Sequence, residues 1–84
     1  MTDQEFEIMD ELYFVISFDD LRKKLSMEDA HLKQALESLL ERNYVKCFSN
    51  ISDEIPPQNL DFENNFRKYH YLASKEGLFA HNSR

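Results

Sequence analysis

The side chains of this chain that could do chemistry are few and scattered. His31, His70 and His81 lie far apart and lack the close pairing from which a zinc ligand set is built, and the one cysteine, Cys47, cannot supply the several sulfurs of the usual structural site. Asp19 and Asp20 are adjacent, which suits the positively polarised start of a helix better than an acid and a base facing each other across a cleft. No serine stands in a nucleophile-elbow context, and Gly77 is the single glycine, so a phosphate-cradling glycine loop is excluded. What remains is recognition by hydrogen bonding, charge and apolar contact. The chain is therefore expected to be no enzyme, with no metal and no cofactor.

Charge narrows the partners. Ten Lys and Arg against sixteen Asp and Glu give a net charge of −6, so the average field repels phosphate backbones. No apolar run approaches the roughly 20 residues that span a bilayer, and the acidic amino terminus lacks the layout of a signal peptide. A cytoplasmic protein is expected. Cys47 sits in a β-prone run and reads as a small buried hydrophobe rather than a reactive thiol. At 84 residues there is room for one domain, 1–84, near the size at which some folds borrow stability from a partner.

The elements that must position any recognising side chains follow from periodicity. Thr2 with Glu5 makes a capping box, and Phe6, Met9 and Tyr13 recur on one face beside Ile8 and Leu12, which predicts a helix from about Asp3 to Tyr13. Phe14, Val15 and Ile16 favour a short strand. Ser17 then caps a second helix with Phe18, Leu21 and Leu25 on its buried edge. Ser26 to Glu28 leaves only a tight corner before a third helix, in which Leu32, Ala35, Leu36, Leu39 and Leu40 repeat at i, i+3, i+4, i+7 and i+8. Ser26 or Glu28 could open that helix. Asn43 should end it, since asparagine tolerates the left-handed conformation, and the β-prone run Tyr44 to Phe48 follows at once.

From Asn50 to Phe66 the composition changes to two prolines, four asparagines and four acids, which predicts a long irregular loop over 50–67 that projects from the domain. Arg67 to Ala73 alternates as a return strand with Tyr69 and Tyr71 on one side and His70 and Leu72 on the other. Ser74 could cap a short final helical turn.

In that order of elements the chain resembles the winged helix-turn-helix superfamily, and two stretches carry the likeness. LSMEDAHLKQALESLLERNYVK, Leu25 to Lys46, looks like the turn, recognition helix and following strand, with Asn43 where glycine is usual. YLASKEG, Tyr71 to Gly77, looks like the segment that closes the wing in many bacterial regulators, with Ala73 and Ser74 where that pattern has leucine and threonine. The resemblance implies an α+β fold with a three-helix core, a small antiparallel β-wing and a short C-terminal helical turn. It also implies that the third helix presents Ala30, His31, Lys33, Gln34 and Glu37, of which Lys33 and Gln34 can hydrogen-bond guanine and adenine edges.

The scaffold serves DNA readers and protein adaptors alike, so residues must separate them. Glu28, Asp29, Glu37 and Glu41 outnumber Lys33 and Arg42 on the third helix, and the wing loop adds Asp53, Glu54, Asp61 and Glu63. A counterweight exists if Arg22, Lys23, Lys24, Lys46, Arg67 and Lys68 converge into a stripe that contacts phosphates. Ile51, Ile55, Leu60, Phe62 and Phe66 set apolar groups in the acidic loop, where they either dock on a partner or fold back over the domain's own core. The leading expectation is a regulatory or adaptor module that recognises a protein, or a second copy of itself. The alternative is a regulator that binds duplex DNA as a dimer.

Overall fold

In the computed structural model, which describes residues 1–83, helix α1 spans Asp3–Asp10 and starts as its capping box dictates. The Thr2 hydroxyl accepts from the Glu5 N–H at 3.1 Å, and the Glu5 carboxylate accepts from the Thr2 N–H at 2.8 Å. The helix stops earlier than its apolar spacing predicts. Glu11 and Leu12 close onto the Ile8 and Met9 carbonyls in tighter turns, and the Leu12 carbonyl is taken by the Ala73 N–H at 2.9 Å. The buried face shifts accordingly: Ile8, Met9 and Leu12 are sealed in the core, whereas Phe6 is half-buried and Tyr13 is exposed.

Strand β1 is only Ile16–Ser17, starting two residues later and ending one later than the β-prone run Phe14 to Ile16 suggests. Ser17 serves twice, pairing with His70 and capping helix α2, Phe18–Leu25, through a 3.1 Å bond from the Asp20 N–H. Phe14 is left facing solvent. Helix α2 ends at Ser26, which adopts the left-handed conformation with φ 52°, so Ser26 closes one helix rather than opening the next. Glu28 occupies the N-cap of helix α3, Asp29–Glu41, with no side-chain cap bond.

Asn43 takes the expected left-handed turn at φ 61°. There the Tyr44 N–H reaches back to the Leu39 carbonyl at 2.9 Å and the Asn43 N–H to that of Leu40 at 3.0 Å, the double closure by which a helix end satisfies its carbonyls. Strand β2, Val45–Phe48, begins directly and pairs antiparallel with strand β3, His70–Ala73, from Val45 opposite Ala73 to Phe48 opposite His70. Strand β1 pairs with the other side of β3, giving a three-stranded antiparallel sheet in the order β1-β3-β2.

Leu21, Leu32, Leu36, Leu39, Cys47 and Tyr71 meet between the helices and one face of the sheet, with no solvent exposure or almost none. The alternation expected in the return segment holds, with Tyr69, Tyr71 and Ala73 buried and His70 and Leu72 half-buried, although the strand starts at His70 rather than at Arg67. The carboxy-terminal segment is a full helix, α5, Lys75–Asn82, longer than the single turn expected. Gly77 explains its seating, because a Cβ there would lie 2.1 Å from the Tyr44 carbonyl oxygen. That oxygen also accepts from the Ser74 N–H at 2.9 Å, so the start of α5 is pressed onto the turn between α3 and β2. His81 fastens the other end, with its Nε2 2.6 Å from Asp10 and its Nδ1 3.1 Å from the Tyr13 hydroxyl.

The segment from Asn50 to Phe66 departs most from expectation, since it neither projects nor remains irregular. Asn50 accepts from the backbone of Ser52 and Asp53 and turns the chain, and Glu54 forms a bridge opposite Phe48. Pro57–Asn59 makes a 3-10 turn, and Phe62–Asn65 forms a one-turn helix, α4. Two tyrosines clamp it: the Tyr69 hydroxyl accepts from the Asp61 N–H at 3.0 Å, and the Tyr71 hydroxyl donates to the Phe66 carbonyl at 2.7 Å. Among the described residues the architecture is thus an α+β domain of five helices and a three-stranded antiparallel sheet, and no helix is long and apolar enough to cross a membrane.

Candidate recognition surface

Helix α3 buries its leucine stripe and presents Ala30, His31, Gln34 and Glu37 to solvent, with Glu28 and Glu41 at its two ends. Lys33 is the exception among the residues expected on this face. It is half-buried, lying 2.8 Å from Glu63 of α4 with its ammonium 5.1 Å from the centre of the Phe66 ring. The exposed face of α3 is accordingly neutral to acidic.

Among the described residues all Lys and Arg side chains but Lys68 and Lys75 are held by carboxylates. Arg22 and Arg67 grip opposite oxygens of Asp29 at 3.2 and 3.0 Å, and Arg22 and Lys23 both reach Asp19 at 3.1 Å. Hydrogen bonds from Lys23 and then Arg22 hold the Asp19 carboxyl below its ordinary pKa. Lys24 pairs with Glu11 at 3.5 Å, and Lys46 with Glu54 at 3.8 Å. Of the six residues considered for phosphate contacts, only Lys68 lacks an ion pair among the described residues. Arg22, Lys23 and Arg67 do come together, but around acids, and the continuous cationic stripe does not form.

The apolar residues of the excursion also take a different place from a projecting wing. Ile55, Leu60, Phe62 and Phe66 pack against the core, with Phe66 meeting Phe18 edge-on at 5.2 Å between ring centres and Phe62 meeting Tyr71 at 6.4 Å. Ile51 alone of the five stands exposed, at the tip. The remaining exposed large apolar side chains are Phe14, Phe79 and, in part, Tyr13, three positions that periodicity alone had not singled out as surface contacts.

Glu5 and Cys47 are buried away from this surface, and the buried Nδ1 of His70 has no hydrogen-bond partner among the described residues. Glu5 is nearly sealed and receives the Arg42 guanidinium. Burial pushes its carboxyl up, but the Thr2 N–H and Arg42 outweigh that, so its pKa lies below the ordinary glutamate value. Cys47 is buried and its thiol is pushed up to about 12 by desolvation, which keeps it protonated and unreactive near neutral pH. Among the described residues no group of three or more His, Cys, Asp or Glu is placed to hold a metal ion. No family model, curated protein or solved structure matches the chain.

Proposed function

We propose that the chain is a winged helix-turn-helix domain that acts as a non-enzymatic regulatory or adaptor module and recognises protein rather than nucleic acid. The order of elements, the sheet order β1-β3-β2 and the short corner between α2 and α3 support the fold assignment. One observation carries the functional reading: Arg22, Lys23, Lys24, Lys46 and Arg67, five of the six side chains considered for phosphate contacts, each already hold a carboxylate. Binding phosphate would mean breaking those pairs in a molecule whose net charge of −6 repels the ligand.

The second reading, duplex recognition through α3, draws on the exposure of His31 and Gln34 on the face that relatives of this fold lay in the major groove. Fluorescence anisotropy with a mixed-sequence duplex at low salt separates the two. The protein-recognition reading expects no binding. Affinity that falls steeply as salt rises would overturn it.

A further inference from the structure

Phe14 is the most exposed large apolar side chain among the described residues, with 82% of its surface open to water. It stands in the turn that joins α1 to β1. Strand β1 lies at the edge of the sheet, since the order β1-β3-β2 leaves its other side unpaired. The Phe18 N–H donates to the Tyr69 carbonyl at 3.3 Å, so by alternation Ser17 turns its N–H away from β3. A strand of two residues is nevertheless too short a template for backbone pairing to supply much affinity. Recognition at this edge therefore rests on side chains.

Beside the Phe14 ring lies a cleft of about 520 Å³, which also has Val15 and Ile16 in its lining and has room for a phenyl ring. Asp10, Glu11, Asp20, Lys23 and Lys24 surround it, so both signs of charge stand at one cleft. Lys24 is paired with Glu11, Lys23 with Asp19 and Asp10 with His81. The two lysines and Asp10 are largely exposed, and surface pairs of this kind exchange partners at little cost. Asp20 has no ion pair among the described residues.

We propose that this face is the interface of a weak two-fold dimer, in which Phe14 of each copy enters the cleft of the other. Two features select a second copy as the occupant. A two-fold contact requires the projecting group and its receptor on the same patch, and Phe14 both lines the cleft and stands out from it. The patch also offers lysines and acids together, so the two-fold can set the acids of one copy against the lysines of the other, whereas a partner of one sign would meet like charge. Burying two rings is a small gain against the freedom lost on association, which sets the dissociation constant at about 0.1–1 mM. At the micromolar concentrations of a denaturation experiment the chain is then a monomer. The inference goes beyond the proposed function: the lining residues come from α1, β1, α2 and the turn before β1, and none comes from α3.

The test is sedimentation equilibrium of the full chain from about 10 µM to about 1 mM, in about 0.15 M salt so that the charge of each copy is screened beyond about 8 Å. The wild type should pass from monomer to dimer over that range. Phe14→Ser, which removes a ring that already faces water, should keep the fold and weaken association by about tenfold or more, and Phe79→Ser should leave association unchanged. Asp20→Lys and the double variant Lys23→Glu/Lys24→Glu should each lose self-association, and an equimolar mixture of the two should regain it, with circular dichroism reporting that each is folded. Should either charge variant fail to fold, the contrast between Phe14→Ser and Phe79→Ser decides alone. A wild type that stays monomeric throughout would overturn the site. So would a dimer indifferent to Phe14→Ser, or folded charge variants that do not associate on mixing. Salt-sensitive duplex binding would overturn the protein-recognition reading instead, so the two failures are distinguishable.

Discussion

The α2–α3 pair and the excursion from Asn50 to Phe66 bury apolar side chains against the same core by different means. In the helix pair, Leu21, Leu32, Leu36 and Leu39 are fully enclosed, and the helix ends satisfy themselves locally at Ser26 and Asn43. In the excursion Ile55, Leu60, Phe62 and Phe66 are only half-buried, and the backbone is held by hydroxyls of Tyr69 and Tyr71 that arrive from β3. One region carries its instructions within itself. The other borrows them from a strand that follows it in the chain, which makes it the region expected to open first.

The comparison breaks most severely in the helix pair. Leu36→Ala should cost about 2–5 kcal/mol in urea denaturation, because a fully enclosed leucine leaves a cavity that rigid neighbours do not fill. Gly77→Ala comes next. A Cβ placed 2.1 Å from the Tyr44 oxygen must displace α5 from the α3–β2 turn, an overpacking cost of about 1–3 kcal/mol read in the same way.

Tyr71→Phe removes the donor to the Phe66 carbonyl and should cost about 1 kcal/mol, with faster amide exchange confined to the excursion. If that exchange change spread equally into α3, the distinction between the two regions would fail.

Acid should reach α1 and α3 through Glu5. Its folded pKa lies below the ordinary glutamate value, so its contribution is complete above that value and is lost as pH falls through the lowered folded pKa. The stability difference between the wild type and Glu5→Gln should therefore be largest at neutral pH and shrink as the solution is acidified. Smallest of all, Phe14→Ser and Phe79→Ser should change stability by within about 0.5 kcal/mol, since both rings already face water.

The same contrast explains what could be read beforehand. The leucine repeat, the Thr2 and Ser17 caps and the left-handed turn at Asn43 are local signals, and the elements they imply formed where expected within a residue or a few. The early end of α1 depends on Ala73 claiming the Leu12 carbonyl, a contact remote in sequence that no periodicity encodes. The fold of the excursion likewise depends on Tyr69 and Tyr71, and the alternation of those tyrosines pointed to a strand without saying that their hydroxyls would clamp the preceding segment. At the surface, the resemblance placed Ala30, His31, Lys33, Gln34 and Glu37 outward and all but Lys33 are exposed, but the fate of the cations required knowing that Asp29 would stand between Arg22 and Arg67. Pairing of charges remote in sequence is a tertiary fact.

The central claim is that internal carboxylates take up the cations a duplex would need. It is tested most directly by comparing wild type with Asp29→Asn/Glu63→Gln in duplex binding at low salt, because that pair of changes frees Arg67 and Lys33, leaves Arg22 with Asp19 alone and removes two negative charges. The account predicts no measurable affinity for the wild type and a gain of salt-sensitive binding in the variant. Equal, tight binding by both proteins would contradict it.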